Sequence, residues 1–264
     1  MGTPIEDVGF LARSETRVGV LRALDEDPYD RRDLATATDT PRSTLSRTLG
    51  ELEDRGWIER NGQHYETTTA GSLIVEHLIP LLDTVSVLQT IGEAVDLLPF
   101  EETDLAVHQL AGAEFVTPTK LNPTAPFDYG IERLRRADQF RCVARTAPPR
   151  YVEAINDGAA TGRLSVDCVL AGTYLDDIED DPESRERWND IAGRSGGVYR
   201  FDGPLSFVLM VLDDTVHLWL CDEEGPHGLV EDETPEVRAW ANETVERYLE
   251  QSQPIDSTMV DSRS

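Results

Sequence analysis

The sequence predicts a protein of mixed α+β and α/β class, in which one long helix joins a small helical domain with a β-hairpin to a larger α/β domain. Three observations predict this class. Residues 1–70 contain short helical repeats with their own capping residues, and they close with an Asn-Gly turn between alternating residues. Residues 71–98 keep one helical repeat throughout, and residues 99–250 alternate strand-like and helix-like segments. Residues 251–264 are polar and lack periodicity, so we expect a disordered tail there.

The charge of the chain is strongly acidic. Its 264 residues include 51 Asp and Glu against 24 Lys and Arg, which gives a formal net charge of −27. Lys120 is the only lysine. Carboxylates hold water and cations in molar salt, where their mutual repulsion is screened within about 3 Å. The composition therefore predicts the cytoplasm of an extreme halophile. In such salt the net charge does not exclude a nucleic acid partner, because counterion release contributes little to binding.

The first domain contains the start and stop signals of three helices. Ser14 and Asp30 each precede a helical segment, where their side chains can accept the first free backbone N–H groups. Thr40 is the expected N-cap of the third helix, and a proline follows at the first helical position, where a missing N–H costs nothing. Gly56 stands just past this segment, where a left-handed residue commonly ends a helix. The third helix is therefore predicted over residues 41–55.

This third helix has an apolar side and a polar side. Its leucines are spaced four and then three residues apart and form one stripe: Leu45, Leu49 and Leu52. The opposite side carries two arginines and two serines within the first two turns: Arg42, Ser43, Ser46 and Arg47. Arginine can hydrogen-bond O6 and N7 of a guanine together, and the N-terminus of a helix favours a phosphate. The polar side therefore has the composition of a recognition helix in the major groove of DNA.

An Asn-Gly dipeptide follows the third helix and predicts a β-hairpin. Asn61-Gly62 lies between residues 57–60 and 64–67, which alternate as strands do. A hairpin after a recognition helix forms a wing, so this order predicts a winged helix-turn-helix that binds double-stranded DNA. The candidate DNA-binding residues come from the recognition helix and the wing: Thr40, Arg42, Ser43, Ser46, Arg47, Arg60, Asn61, Gln63 and His64. The alternative is a small helical bundle whose hairpin does not contact DNA.

Several stretches also resemble a known family. The run from Phe10 to Gly71 is similar to winged-helix domains of the MarR and ArsR kind, and most of all to haloarchaeal regulators in which this domain precedes a methanogenesis-regulator-type sensor domain. The C-terminal half resembles that sensor domain at residues 117–119, 207–215 and 236–241. The resemblance covers nearly the whole chain. It implies an archaeal, sequence-specific DNA-binding transcriptional regulator without catalytic activity, and it implies no particular ligand.

The connecting helix carries a two-position heptad repeat. Its apolar seam alternates spacings of four and three residues: Ile74, Leu78, Leu81, Val85 and Leu88. Such a seam favours pairing with the same helix of a second copy, and a winged helix-turn-helix usually binds a two-fold operator as a dimer. We therefore expect a homodimer. The alternative is a helix packed on its own domain, and Pro80 is expected to kink or split it.

The C-terminal domain is predicted to contain a mostly parallel central sheet, because strand-like and helix-like segments alternate through residue 200. The expected strands are residues 105–110, 114–117, 139–144, 164–170, 197–201, 206–212 and 215–221. The expected helices are residues 127–136, 151–161, 182–192 and 235–251. The dipeptide Asp213-Asp214 is expected to form a tight turn between two antiparallel strands.

Polar residues follow two of the expected strands. Thr117 and Thr119 come after one strand, and Arg145 and Thr146 come after another. Ligands of open α/β sheets bind beyond the carboxyl ends of the strands. We therefore expect these four residues to bind a small-molecule effector that is anionic or hydroxylated, and ordinary strand-end loops are the alternative.

The sequence contains no pattern of a metal or cofactor site. Its three cysteines and five histidines lack metal-ligand spacing, and no phosphate-binding loop or nucleophile elbow is present. The N-terminus has no secretory pattern, and the longest apolar stretch, near Leu78, is interrupted by polar residues. We therefore expect a cytoplasmic regulator that is not an enzyme and uses no cofactor. Two other functions stay open: an adaptor whose winged helix binds a protein, and an enzyme with a titratable cluster in the sheet crevice.

Overall fold

The computed structural model describes residues 3–178, 181–194, 196–222 and 225–255, and the chain divides into two compact units. The first unit is Met1–Asp83 and the second is Thr84–Ser264. The boundary lies inside the segment predicted as the connecting helix, residues 71–98. Each unit buries its own apolar side chains, so each is described separately.

The first unit has helices packed beside a small antiparallel sheet. Its helices are α1 (Pro4–Ala12), α2 (Glu15–Glu26), α3 (Arg31–Ala37) and α4 (Arg42–Glu53), followed by the beginning of α5 (Thr69–Ile91). Its strands are β1 (Tyr29–Asp30), β2 (Ile58–Asn61) and β3 (His64–Thr67), in the order β1-β3-β2. The predicted helices and hairpin are therefore present, and the structure adds α1 and β1.

Two of the three predicted caps form the expected hydrogen bonds. The Ser14 side chain accepts from the backbone N–H of Arg17, and the Asp30 carboxylate accepts from the N–H groups of Arg32 and Asp33. The third prediction was wrong: α4 begins one residue later, and its N-cap is a proline. The hydroxyl of Thr40 donates instead to the backbone oxygen of Thr38, at 3.1 Å, and is held in the turn between α3 and α4.

The hairpin turn also lies one residue later than predicted. Asn61 pairs with His64, so the two loop residues are Gly62 and Gln63. Gly62 has a φ of +66°, a backbone conformation that glycine adopts without the steric cost of a side chain. The glycine therefore takes the first loop position rather than the second. Beyond the hairpin, β1 pairs with β3 through Tyr29 and Tyr65, a contact between distant residues that no local pattern indicates.

Helix α5 is continuous across the boundary between the units, and Pro80 does not split it. Ile74 and Leu78 belong to the core of the first unit, and Val87 and Ile91 belong to that of the second. A 3₁₀ helix, Gly92–Leu97, follows directly. The span Thr69–Leu97 is long and apolar enough, by length and composition alone, to cross a membrane. Its packing into both cores accounts for part of that apolar content.

The second unit is built on one mixed sheet. Its strands are β4 (Glu114–Val116), β5 (Gln139–Ala144), β6 (Ser165–Ala171), β7 (Gly196–Phe201), β8 (Val208–Leu212), β9 (Thr215–Cys221), β10 (Pro226–Asp232) and β11 (Gln253–Pro254). Their spatial order over the described residues is β11-β7-β6-β5-β8-β9-β10-β4. Among the strands that the structure describes, only the β5–β6 and β6–β7 pairs are parallel.

The prediction of a mostly parallel sheet was therefore wrong. Parallel neighbours need a crossover, and helices supply one only between β5 and β7. From β8 onward short turns join the strands, and short turns can connect only antiparallel neighbours. Asp213-Asp214 is such a turn, with Asp213 at a φ of +51°, and its prediction is confirmed. The remaining pairs, β5–β8, β10–β4 and β11–β7, are also antiparallel.

Helices cover both faces of this sheet. They are α6 (Ala125–Arg136), α7 (Pro149–Ala160), α8 (Gly172–Ile178), α9 (Pro182–Arg194) and α10 (Pro235–Glu250). One core contains side chains of α6, α7 and α9, and the other contains those of α10 and the 3₁₀ helices. The side chains of neighbouring residues in one strand pack into opposite cores, as those of Cys142 and Val143 in β5 do.

Helix α8 was not predicted, and three further segments also differ from the sequence prediction. The expected strand 105–110 is largely a 3₁₀ helix, Val107–Gly112, because the Gln109 side chain accepts the N–H of Ala106 and stabilises a turn. Strand β10 was not predicted, since Glu231 and Asp232 interrupt its apolar pattern although both are buried. Strand β11 lies within the predicted tail, of which residues 256–264 are outside the described residues.

Candidate nucleic-acid interface

The polar side of α4 is exposed along its first two turns. Leu45, Leu49 and Leu52 are buried, with at most 1% of their surface exposed, so one side of the helix belongs to the core. The other side leaves two arginines and two serines exposed together: Arg42, Ser43, Ser46 and Arg47. Within the described residues, no side-chain hydrogen bond caps the N-terminus of α4. This side of the helix is therefore accessible to a partner.

The electrostatics of α4 favour an anion more than its sequence suggests. Glu51 lies one turn after Arg47, but their closest N–O distance is 3.9 Å and the Arg47 side chain is 72% exposed. The Glu51 carboxylate instead accepts two hydrogen bonds from Arg17 of α2, at 2.9 and 3.1 Å. Because Arg17 balances this carboxylate, it repels a phosphate less than an unpaired glutamate would.

Arg17 also fixes α1 on the rest of the unit. Its guanidinium lies 3.8 Å from the centre of the Phe10 ring, and that of Arg55 lies 3.6 Å from the same ring. A cation over an aromatic face is attracted by the ring quadrupole. Arg55 also donates to Asp7 of α1, at 3.3 Å. These contacts connect α1 to α2 and to the end of α4.

The tip of the hairpin exposes the four residues predicted for a wing: Arg60, Asn61, Gln63 and His64. Arg60 donates to the backbone oxygen of Gly62, at 3.0 Å, which holds its side chain along the turn. Thr40 differs from the other candidates, because it is only 7% exposed and its hydroxyl is bonded within its own turn. Thr40 shapes the turn before α4 rather than presenting a group to solvent.

Sequence reasoning missed Arg31, which lies beside the wing. It donates to the hydroxyl of Tyr65 at 2.9 Å, and its guanidinium is 5.9 Å from that ring. Arg60 is 5.7 Å from the same ring, so two cations flank one aromatic residue of β3. The sequence shows only that Arg31 directly follows the capping residue Asp30. Its proximity to the wing depends on the β1–β3 pairing, which has no local pattern.

The residues predicted for a small-molecule effector do not meet in one place. Thr117 and Thr119 follow β4, and Arg145 and Thr146 follow β5. The carboxyl ends of β4 and β5 point in the same direction, but β8, β9 and β10 lie between the two strands. Four strand spacings correspond to about 19 Å. Thr146 lines a cavity at the end of β5, whereas the Thr119 hydroxyl accepts the N–H of Asn122 within its own loop.

A buried network of titratable side chains lies on the same unit. His217 of β9 is fully buried, and its Nε2 is 2.7 Å from Oε2 of Glu231. Tyr129 and Arg133 of α6 both donate to Oε1 of Glu231, at 2.8 and 2.6 Å. Burial raises the pKa of Glu231, but the hydrogen bonds from His217 and Tyr129 outweigh it and leave that pKa lowered. Burial raises the pKa of Tyr129 to about 12.

Glu231 is bonded to His217, Tyr129 and Arg133, whereas Nδ1 of the buried His217 has no partner among the described residues. Among the described residues, no group of three or more His, Cys, Asp or Glu side chains could hold a metal ion. The three cysteines are free thiols, two of them buried in the sheet. The His217 ring is closed off from solvent, so the network stabilises the contact between α6 and the β9–β10 hairpin.

Two family models match the chain. Residues 5–90 match the HVO_A0261 N-terminal domain, and residues 123–251 match the middle domain of the methanogenesis regulatory protein FilR1. Together they support an archaeal transcriptional regulator. No curated protein matches the sequence.

Solved structures resemble the chain only distantly. TrmBL2, an archaeal chromatin protein with a novel mode of DNA binding, is 13% identical with a TM-score of 0.40 over 96% of this chain and 100% of that chain. Nuc, a phospholipase D family member from Salmonella typhimurium, is 15% identical with a TM-score of 0.45 over 55% of this chain and 99% of that chain. At such TM-scores neither likeness carries an argument about function.

Proposed function

We propose that this chain, whose two matched segments support an archaeal transcriptional regulator, binds specific DNA sequences through a winged helix-turn-helix in its first unit. One observation on α4 carries the proposal. The leucines of this helix fill the core of the unit, while its arginines and serines remain exposed together on the opposite side. A helix with these two sides fits the major groove, whose width admits one α-helix.

In this proposal α4 enters the major groove with its first two turns. Arg42 and Arg47 hydrogen-bond guanine edges or phosphates, and the small side chains of Ser43 and Ser46 permit close approach. Arg60 and His64 at the tip of the wing contact the adjacent backbone. Arg31, beside the same wing, adds a further positive charge, which would strengthen binding without regard to sequence.

We extend the proposal to a homodimer that pairs along α5. Ile74 and Leu78 pack in the core of their own unit, which leaves Leu81, Val85 and Leu88 of the predicted seam exposed by 56%, 42% and 38%. In the first unit, α1 and α5 also line an apolar groove of about 610 Å³. Contiguous apolar surface of this kind is typical of a protein interface. A second copy offers the same surface, as a two-fold dimer requires.

A small-molecule effector and a cytoplasmic location complete the proposal. The second unit acts as the sensor, and an effector changes DNA affinity by binding one state of the dimer better than the other. The absence of catalytic activity is also part of the proposal. It is supported by the Glu231 network, in which the side chains of His217 and Glu231 are 0% and 6% exposed.

The test is DNA binding by a variant with Arg42→Ala and Arg47→Ala. Sites bound in the native high-salt cell are mapped across the genome, and one such site is then titrated with purified protein in molar KCl. A bidentate arginine–guanine contact contributes about 1–3 kcal/mol, so the loss of two such contacts should weaken binding by at least about thirtyfold.

The matched control replaces two exposed arginines of the second unit, Arg136→Ala and Arg150→Ala, whose side chains are 70% and 62% exposed. This control removes the same net charge and should keep wild-type affinity. If both double variants bind equally well, the polar side of α4 does not contact DNA. Retained function in the cell would then favour the adaptor alternative.

A further inference from the structure

The arginines of the first unit differ in whether a carboxylate balances their charge. Arg17, Arg22 and Arg55 pair with acidic side chains at 2.9, 3.6 and 3.3 Å. The whole chain has 51 acidic and 24 basic residues, so carboxylates are plentiful. Several guanidiniums nevertheless form no ion pair within the described part of the chain: Arg13, Arg31, Arg32, Arg42 and Arg60. These guanidiniums remain open to an external anion.

Tyr65 of β3 contacts two of these unpaired arginines. Arg31 of α3 donates to the Tyr65 hydroxyl at 2.9 Å, and its Cζ lies 5.9 Å from the centre of the ring. Arg60 is the partner of Tyr65 in the β2–β3 pairing, and its Cζ lies 5.7 Å from the same ring. The Tyr65 cluster, which consists of Arg31, Arg60 and Tyr65, therefore joins the start of α3 to the wing.

The acidic residues that adjoin this cluster in sequence do not neutralise it. Asp30 directly precedes Arg31, but one oxygen of its carboxylate accepts two backbone N–H groups of α3, at 2.7 and 2.8 Å. Glu59 and Glu66 are partners across the hairpin, one position along from Arg60 and Tyr65. Because side chains alternate along a strand, the two glutamates lie on the opposite face of the hairpin. The face with Arg60 therefore keeps its positive charge.

A phosphate group is the anion that matches these donors. A guanidinium presents five N–H donors in one plane, and pairs of them fit two phosphate oxygens. Arg31 uses an Nη2 donor on Tyr65, and Arg60 uses Nε on the backbone oxygen of Gly62 at 3.0 Å, so both guanidiniums keep further donors. In molar salt long-range attraction is screened, so direct hydrogen bonds of this kind decide whether a phosphate is held.

We propose that the Tyr65 cluster binds one segment of the DNA backbone and fixes the position of the wing on the duplex. Arg31 and Arg60 donate to phosphate oxygens, and Tyr65 is a positioning residue that orients the Arg31 side chain. This inference rests on the proposed DNA-binding function. It adds that the cluster contributes affinity without discriminating between sequences, since phosphates are common to all of them.

The test titrates the full chain with two duplexes in a series from 1 to 3 M KCl. One duplex is a site mapped in the cell, and the other is the same site with one guanine replaced. Arg31→Ala should weaken binding to both duplexes about tenfold, because hydrogen bonds to a charged group are lost, and their affinity ratio should not change. Its plot of log K against log[KCl] should be less steep by about one, as for one lost phosphate contact.

Two further variants separate geometry from charge. Arg31→Lys keeps the charge but loses the planar pair of donors, so it should recover little of the lost affinity. Tyr65→Phe keeps the ring and releases Arg31, so it should weaken both duplexes about threefold with an unchanged salt slope. The matched controls are Tyr29→Phe, at the cross-strand partner of Tyr65 in β1, and Arg136→Ala in the second unit, which is 70% exposed. Both should bind as the wild type does.

Wild-type affinity in Arg31→Ala would overturn the proposal. A changed ratio between the two duplexes would also overturn it, because the cluster would then discriminate between bases. Arg31→Ala decides the matter even if Tyr65→Phe fails to fold, which thermal unfolding reveals. The role of α4 is judged separately: if the Arg42 and Arg47 double variant binds as the wild type while Arg31→Ala does not, the cluster contacts DNA and the polar side of α4 does not.

Discussion

Glu231 is a buried carboxylate that accepts hydrogen bonds from side chains of both the sheet and α6. Nothing in the local sequence indicates this, because acidic residues within a strand usually face solvent. The network requires the register that pairs Glu231 with His217 across two strands. In contrast, the exposure of Arg42 and Arg47 was predictable, because a regular stripe of buried leucines leaves the opposite side of the helix exposed. The cavity that Thr146 lines at the end of β5 was not predictable, because it depends on how Gly130 of α6 and Tyr151 of α7 pack against each other.

The Glu231 network predicts a dependence of stability on pH. The pKa of Glu231 is lowered from about 4.5, so the unfolded chain takes up this proton more readily than the folded one. The stabilisation is therefore complete above pH 4.5 and is lost as the pH falls from there through the lower pKa of the folded state. Glu231→Gln should reduce the free energy of unfolding by about 2 kcal/mol at pH 7, since hydrogen bonds to a charged group are lost.

Thermal unfolding of the wild type and of Glu231→Gln, at fixed KCl from pH 7 to pH 3, measures the difference in their stability. This difference should shrink below pH 4.5. Glu246→Gln is a suitable control, because its carboxylate is 62% exposed although it pairs with Arg141. A difference between wild type and Glu231→Gln that stays constant down to pH 3 would contradict the assignment.

At the scale of elements, sequence patterns predicted the features that are stabilised by interactions between neighbouring residues. The caps at Ser14 and Asp30 and the Asp213-Asp214 turn were predictable, because each depends on a few adjacent residues. The start of α4 and the hairpin turn each lie one residue later than predicted. Thr40 is bonded within the turn before α4, and Gly62 takes the first loop position. The segment 105–110 was predicted as a strand, but the Gln109 side chain accepts the N–H of Ala106 and stabilises a 3₁₀ turn instead.

The exposed residues of α5 lead to a prediction about assembly. Leu81→Asp with Leu88→Asp places two carboxylates on the exposed apolar side of the helix, so the dimer should dissociate and DNA binding should fall. Light scattering in several molar KCl measures the mass. The control is Ser86→Asp with Gln89→Asp, two exposed polar positions of the same helix, which should stay dimeric. A wild-type protein that scatters as a monomer would rule out the proposed dimer.

At the scale of the whole molecule, the chain divides into two compact units within the segment predicted as the connecting helix. The strand directions of the second unit were not predictable, because alternation of strands and helices indicates parallel neighbours only where a helix lies between them. After β7 no helix separates the strands until α10, and the sheet becomes antiparallel. Chain length and composition do not reveal where this change occurs.

The net charge of −27 predicts that stability depends on salt. At low ionic strength the surface carboxylates repel one another and destabilise the folded chain, whereas molar salt screens them within about 3 Å. The unfolding temperature should therefore rise steadily from 0.1 to 3 M KCl. Differential scanning calorimetry in a KCl series measures it, with sucrose at matched osmolality as the control. An unfolding temperature that is independent of KCl would remove the case for a halophilic cytoplasm.

The two outermost strands of the large sheet are short, with three residues in β4 and two in β11. The edge of a sheet presents unpaired backbone groups to which another chain can add. A protein with this much negative charge would ordinarily be kept apart from its neighbours by repulsion, yet concentrated salt removes that protection. Edges this short, one of them carrying Pro254, leave little backbone to template growth. In concentrated salt, short outer strands would therefore limit edge-to-edge association where charge repulsion no longer does.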